Sequence, residues 1–562
     1  MPTLNKPLRF QAAGALILVL LTPPGPAPLG ATEPGPVMSS RGIVSAAHPL
    51  ATRAGVDILR KGGNAFDAAV AVAATLNVVE PMMSGIGGYG TILVFDAKSR
   101  RVRYLNSSGR IPARLDPGVF RQPHPRAMEN RRGAAAVSTP GNLHAWDTLS
   151  RELGRLPWKE VLGPGIRLAE DGFAVDERTA RAIEASFEEF PPSVRSFYGR
   201  DGRPLGRGEL LVQKDLGRTL RMISERGPAA FYEGEIAKAI TETLEDKDGF
   251  LSQADLRADR SEWFDPIRIS YRGNEVYTAS PPSTAFPSLI RLGIMGRFDV
   301  ARLGHNTPDF LHRFLETTKH AFWCRLRFAG DPQISPPPLG KLLSEAYWKE
   351  QASRIDPARA RPFSYPGAGD EQDQHTTHFV VADGDGNIVS ATQTLGNLFG
   401  SRIVAEGTGV WLNNSLAYCT FEPKGNPMDA HPGRRKLSGD CPTIIVKSGQ
   451  PWAALGTPGG HTIGQTVPQI VMNLVDFGMD IQRAIDAPRV SFIEPDVVAV
   501  EEAIPAATLA RLESLGHKLR LIRKPSGLGN AHGLTISRRG DGRPRRFAGG
   551  ADRRGDGLSA GY

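Results

Sequence analysis

Between residues 355 and 375 the chain changes character, and this break constrains its architecture more than any other feature. Pro357, Pro362, Pro366, Gly367 and Gly369 are followed by Asp370, Glu371 and Asp373, the composition of an exposed, mobile loop. Ahead of the loop the chain reads mainly as helix. Leu50, Ala54 and Ile58 recur at i, i+4 and i+8, and Gly62-Gly63 closes that segment as a helix C-terminus does. Asn64 offers an N-cap, with Asp67 three residues on as an imperfect capping box, to an Ala/Val-rich helix running to Val79. A helix apolar on every side is a buried one. Glu80-Pro81 stops it, and the Gly-rich turn Ser84–Gly90 leads to strands at Thr91–Phe95 and Val102–Leu105. The stretch 135–350 is expected to be mainly helical, with segments near 141–153, 158–170, 176–186, 235–245 and 307–328. After the loop, β-like runs Thr377–Ala382 and Ile388–Thr394 flank the turn Asp383–Asn387. A second pair, Thr443–Lys447 and Trp452–Leu455, is followed by a helix near 462–477 and a last hairpin near 533–548. Sheets covered by helices, an α+β layered sandwich, satisfy this order.

Composition closes off several classes. With 40% hydrophobic and 23% charged residues, disorder over most of the chain is excluded. The 62 Gly and 45 Pro follow no period, which excludes collagen-like structure. Cys324, Cys419 and Cys441 are too few for a disulfide framework or a four-thiolate zinc site, and whether Cys419 pairs with Cys441 stays open. The net charge of +9 comes from Arg scattered among Asp and Glu. No basic motif interleaved with aromatics accompanies it, so a solvated surface is expected and no nucleic-acid partner. At the start, Lys6 and Arg9 precede the apolar run Ala12–Leu21 and a small-residue exit at Leu29-Gly30-Ala31. That is a secretory signal pattern over 1–31, about half a bilayer span in its apolar part. An exported protein, periplasmic or extracellular, without a membrane span after signal removal is expected.

Some motifs fail on context. Gly85-x-Gly87-x-x-Gly90 follows a helix and precedes a strand, the reverse of a dinucleotide-binding turn. Asp383–Asn387 begins like a calcium loop but has Ile388 and Thr394 where Gly and Glu are needed. No His-Glu-x-x-His occurs. No metal and no cofactor is expected.

The chemistry concentrates where the loop meets the first β-run, His375-Thr376-Thr377-His378. A hydroxyl at that junction suits attack by Thr376 Oγ on its own preceding carbonyl. The cut frees an α-amine that titrates near ~8 and serves Thr376 as its own base. By residue type alone, a Thr-Thr pair at a strand start is first of all β-propensity.

Resemblance adds to this. Arg60–Ala69, Glu80-Pro81 through Gly88, Thr376–Phe379, Gly456-Thr457-Pro458-Gly459-Gly460, Ala487-Pro488-Arg489 and Ala560-Gly561-Tyr562 resemble γ-glutamyltranspeptidases, in order, from about residue 40 to the end. The resemblance implies an N-terminal-nucleophile hydrolase with a four-layer αββα sandwich, made as a proenzyme cut between His375 and Thr376. The large subunit is then 32–375 and the small, catalytic one 376–562, together one composite domain. It further implies Thr376 as nucleophile, Thr394 as its hydrogen-bond partner and Gly459-Gly460 as oxyanion hole. The substrate is then a γ-glutamyl amide such as glutathione, its acyl group passing to water or an amino acid.

The recognition positions depart from the family. The carboxylate-binding arginine is replaced by Ser108, with Arg110 two residues away as a candidate substitute. The Thr-Leu-Asn pattern becomes Thr394-Leu395-Gly396, followed by Asn397. After Asn413-Asn414 stand Ser415 and Tyr418, the latter where the family has an aspartate for the α-amino group. A Ser-Ser pair becomes Ser438-Gly439, and the stretch Cys419–Lys436 is shorter than the family's lid. Arg110, Ser415, Tyr418 and Ser438 are the candidate substrate-binding residues. Three readings follow: a secreted γ-glutamyltransferase or glutathione hydrolase; a relative acting on another amide, cephalosporin-acylase-like or oxamate-amidohydrolase-like; and an inactive exported binding protein.

Overall fold

The structure, a computed structural model, describes residues 35–365, 375–523, 527–540 and 542–562. The expected signal segment and residues 366–374 of the expected loop lie outside the described residues. Residues 355–365 form no helix or strand and are largely exposed, whereas His375 already belongs to a strand.

Fourteen strands build two seven-stranded sheets. In chain order they are β1 (Val37–Ser39), β2 (Ile43–Ala46), β3 (Tyr89–Asp96), β4 (Arg101–Asn106), β5 (Glu262–Phe264), β6 (Ile267–Tyr271) and β7 (Asn274–Thr278). Then come β8 (His375–Ala382), β9 (Ile388–Gly396), β10 (Thr443–Lys447), β11 (Gln450–Gly456), β12 (His532–Arg538), β13 (Pro544–Ala551) and β14 (Leu558–Gly561). The first sheet runs β14-β2-β8-β9-β3-β4-β5 and the second β1-β13-β12-β11-β10-β7-β6, neighbours antiparallel throughout. Both sheets therefore interleave strands from before and after residue 375. The stretch 135–350 is mainly helical, as expected, and also contributes β5, β6 and β7, whose pattern is too short to announce a strand without its partners.

Helices α1 (Pro49–Arg60) and α2 (Ala65–Val79) cover the outer face of the first sheet, with α3 (Trp158–Asp171) packed on α2 and α4 (Lys214–Arg226) on α3. Helices α5 (Phe286–Met295), α7 (Ile463–Val475) and α8 (Ile481–Asp486) cover the second, with α6 (Pro308–Phe328) packed on α5. The two sheets face each other, giving the αββα order. Every residue of α2 is buried, as its composition requires. Its cap is the full reciprocal box: Asn64 Oδ1 accepts from the Phe66 and Asp67 N–H groups, and Asp67 Oδ2 accepts from Asn64 N–H at 3.0 Å. Cys324, Cys419 and Cys441 are free, buried thiols. Burial pushes the Cys419 thiol up to about 12 and that of Cys324 to about 11, so both stay protonated.

Candidate active site

Side-chain parity on β8 decides what faces the space between the sheets. Phe379 and Val381 join the core under α2, whereas Val380 and Ala382 join the core shared with the second sheet. With a two-residue period, Thr376 and His378 point between the sheets and Thr377 points toward the helices. Thr377 Oγ1 accordingly donates to buried Glu80 Oε2 at 2.8 Å, and Glu80 is held in turn by Arg178 Nη1 at 2.9 Å. The residue after Thr376 is thus pinned to the end of α2. Neither Glu80 in this role nor Arg178 had stood out as a site residue, because their partners are about 100 to 300 positions away in sequence.

Across the sheet, Thr376 pairs with Thr394, and Thr394 with Tyr89, so the three side chains share one face. The ladder slips between His375 and Thr376: His375 lies opposite Gly396 and Thr376 opposite Thr394, leaving Leu395 as a bulge. Bulges re-aim side chains beside functional sites. Here the slip turns the Thr394 hydroxyl back on the loop, where it accepts from Gly396 N–H at 2.7 Å and donates to the His375 carbonyl at 2.5 Å. That carbonyl belongs to the peptide bond expected to break.

The turn Gly459-Gly460 follows β11, which packs on β8. Its φ angles of 130° and 55° demand glycine. Among the described residues no acceptor takes the N–H of Gly459 or Gly460. Thr457 Oγ1 accepts from Asn530 N–H at 3.0 Å, tying the turn to the loop before β12. That loop is fixed by buried Arg489, which donates to the Leu528 carbonyl and to Asp552, each at 2.7 Å. Asp552 also receives the Ala531 N–H. The Ala487-Pro488-Arg489 motif is explained by this brace.

The other candidate residues separate. Ser438 Oγ accepts from Asp440 N–H at 3.2 Å and lies 3.4 Å from Thr91 Oγ1, one pair along the face from Tyr89. Ser415 is buried with its hydroxyl donated to Ser138 Oγ. Arg110 shares its guanidinium among Glu262 Oε1 at 3.3 Å, the Gly433 carbonyl at 3.3 Å and Asp259 at 3.7 Å. Tyr418 is buried, and a Cβ added to Gly439 would lie 1.9 Å from its hydroxyl. The tyrosine and the glycine are therefore one steric arrangement. Similarly, a side chain at Gly396 would collide with Asn414 Oδ1, which accepts from Asn397 N–H at 2.8 Å. The Asn414 amide fills the space left at position 396.

Lys436 was not singled out by sequence. Its ammonium sits 3.0 Å from the centre of the Tyr89 ring and donates to the Leu437 carbonyl. Burial lowers its pKa to about 7, against the opposing pull of Asp440. An open cleft of about 320 Å³ adjoins this region, lined by Asn130, Arg325, Tyr418, His461 and Glu494 among others. For metals, His312, Glu316 and His517 alone among the described residues cluster suitably. His312 Nδ1 and His517 Nε2 lie 2.9 Å apart in a hydrogen bond, and Lys319 pairs with Glu316 at 3.3 Å, so these groups satisfy one another.

Comparison with known proteins gives concordant results. The family model described as Gamma-glutamyltranspeptidase matches residues 51–562. The glutathione hydrolase proenzyme of Bacillus subtilis (strain 168) is 34% identical over 517 residues, covering 88% of each protein. The acylase ACY 1 proenzyme of Pseudomonas sp. (strain SE83) is 36% identical over 544 residues, covering 93% of this chain and 96% of that protein. Among solved structures, cephalosporin acylase from Bacillus halodurans superposes with a TM-score of 0.86 at 30% identity, over 97% of this chain and 99% of that one.

Proposed function

The chain belongs to the γ-glutamyltranspeptidase family and is an enzyme of the N-terminal-nucleophile amidohydrolase type; from this we propose that it cuts itself before Thr376 and uses the freed residue as nucleophile. The supporting observation is the Thr394 hydroxyl on the His375 carbonyl, one strand across from Thr376. In this reading Thr376 Oγ adds to that carbonyl while Thr394 stabilises the oxygen as it gains charge. The hydroxyl proton passes to the departing Thr376 nitrogen, which becomes an α-amine, and water hydrolyses the ester left on Oγ. The mature Thr376 Oγ then attacks the substrate amide, its proton taken by the α-amine and handed to the leaving amine. Gly459 and Gly460 N–H groups receive the substrate oxyanion. Water or an amino acid releases the acyl group.

On substrate, two readings stand. The family and the B. subtilis glutathione hydrolase support a γ-glutamyl amide such as glutathione. Tyr418 supports the other, an acylase acting on an amide without an α-ammonium, because a phenol does not neutralise a buried cation as a carboxylate does. The likeness to acylases agrees with the latter. Export and signal removal belong to the same proposal and rest on the N-terminal pattern.

Intact mass under denaturing conditions tests the mechanism. Wild type is expected to give two fragments, the smaller starting at Thr376, and Thr376→Ala a single uncut, inactive chain. An uncut but active wild type would overturn the mechanism. Turnover of γ-glutamyl against other acyl anilides then ranks the substrates.

A further inference from the structure

The cleft beside the Gly459-Gly460 turn is lined by Arg325, Glu422 and Glu494, and Arg325 forms no ion pair among the described residues. Arg325, near the end of α6, is only 8% exposed. Its guanidinium carbon lies 5.4 Å from the Phe322 ring centre and 5.8 Å from that of Tyr418. Two aromatic rings flank the group and shield it from water, while its edge lines the cleft. Among the described residues none accepts a side-chain hydrogen bond from Arg325 or forms an ion pair with it. Arg121 is matched by Asp429, Arg434 by Asp331, Arg435 by Glu262 and Arg489 by Asp552. The buried Arg291 donates to the Gly464 carbonyl, forms no ion pair among the described residues and has its pKa lowered to about 9 by desolvation. Unlike Arg325, it does not line the cleft. A desolvated guanidinium without an anion is costly, so its retention in an open cleft points to an anion that comes from solution.

Position connects this cation to the reaction. His461 directly follows Gly460, lines the same cleft as Arg325 and has its ring centre 6.2 Å from that of Tyr418. Burial keeps His461 neutral, so it does not compete for the anion. Arg110, by contrast, already has its fork engaged by Glu262, Asp259 and Gly433. A cleft of about 320 Å³ has room for a small acyl or leaving group.

We infer that Arg325 receives a carboxylate of the substrate, making it a specificity-determining residue of this enzyme. The inference rests on the amidohydrolase reading and names the group that reading leaves unassigned. A planar guanidinium suits a carboxylate because two parallel N–H donors match its two oxygens.

Three anilides locate the carboxylate: glutaryl 4-nitroanilide carries it on the acyl side, butyryl 3-carboxy-4-nitroanilide on the leaving side, and butyryl 4-nitroanilide on neither. Arg325→Leu is expected to raise KM by about ten- to a hundredfold on one of the two carboxylate probes, with little change on the third. The affected probe identifies the side. Arg325→Lys keeps the charge and the stem but loses the fork, so an intermediate KM is expected, and it serves if Arg325→Leu does not fold. Calorimetric titration with glutarate and with 5-amino-2-nitrobenzoate needs no turnover. At least one should bind wild type and bind Arg325→Leu about tenfold more weakly. Absence of turnover on every anilide with that binding difference intact would sink the amidohydrolase reading and leave the anion site standing. Equal KM effects on all three probes, or equal anion binding by wild type and variant, would overturn the assignment. So would a loss that follows Arg110→Leu and spares Arg325→Leu.

Discussion

The Thr394 hydroxyl lies on the carbonyl of His375, so its removal should strike self-cleavage before it strikes turnover. Thr394→Val is expected to lengthen the life of the uncut chain by about a hundredfold, the cost of one oxyanion donor. Thr394→Ser should restore most of the rate; densitometry of the precursor band over time measures both. Equal cleavage rates in wild type and Thr394→Val would show that the hydroxyl is a passive brace. Thr376 and Thr394 were legible from their motif, but the target of the Thr394 hydroxyl was not. It depends on the bulge at Leu395, which exists only once β8 has paired with β9. Likewise Tyr418 and Gly439 look in sequence like two independent departures. In space one makes room for the other.

At the level of elements, α2 was read correctly because its signals are local: a capping residue, an unbroken apolar run and Glu80-Pro81 as a stop. Its cap is a prediction point. Asn64 also donates to the Leu153 carbonyl at 2.6 Å, so Asn64→Ala loses the box and an inter-helix bond together. A loss of about 1–2 kcal/mol in urea denaturation is expected; a change below a few tenths would mean that burial of α2 alone holds the helix start. The hairpins β8–β9, β10–β11 and β12–β13 were equally legible, each having a turn between two apolar runs. β2 and β5–β7 were not. The four residues of β2 are a strand because β14 and β8 supply hydrogen bonds on either side, and nothing within Ile43–Ala46 announces that.

At the level of the whole molecule, burial sets the response to acid. His144, His517 and His532 are held down to about 3 and His320 to about 4, chiefly by desolvation. In the unfolded chain these residues take up protons near pH ~6.5. Between that pH and the folded values the unfolded chain binds more protons, so stability is full above about pH 6.5 and falls as pH drops. Each histidine contributes a slope of about 1.4 kcal/mol per pH unit. Urea midpoints should therefore decrease steadily from about pH 7 to about pH 5; a flat or rising midpoint over that range would contradict the neutral, buried state of these rings.

By itself the sequence determined the layered α+β class, the family and the Gly459-Gly460 turn. These rest on capping, periodicity and contiguous motifs, which act over a few residues. Only the tertiary structure decided that Thr376 faces the space between the sheets, and that Thr394 reaches the His375 carbonyl. It alone showed that Glu80 and Arg178 anchor the neighbouring residue, that Arg110 has its fork engaged, and that Arg325 faces the cleft without a partner. The physical reason is common to all of these: hydrogen-bond partners and solvent access are set by strands and helices that meet from distant parts of the chain. A residue's type is local, but which of its donors is left over is not.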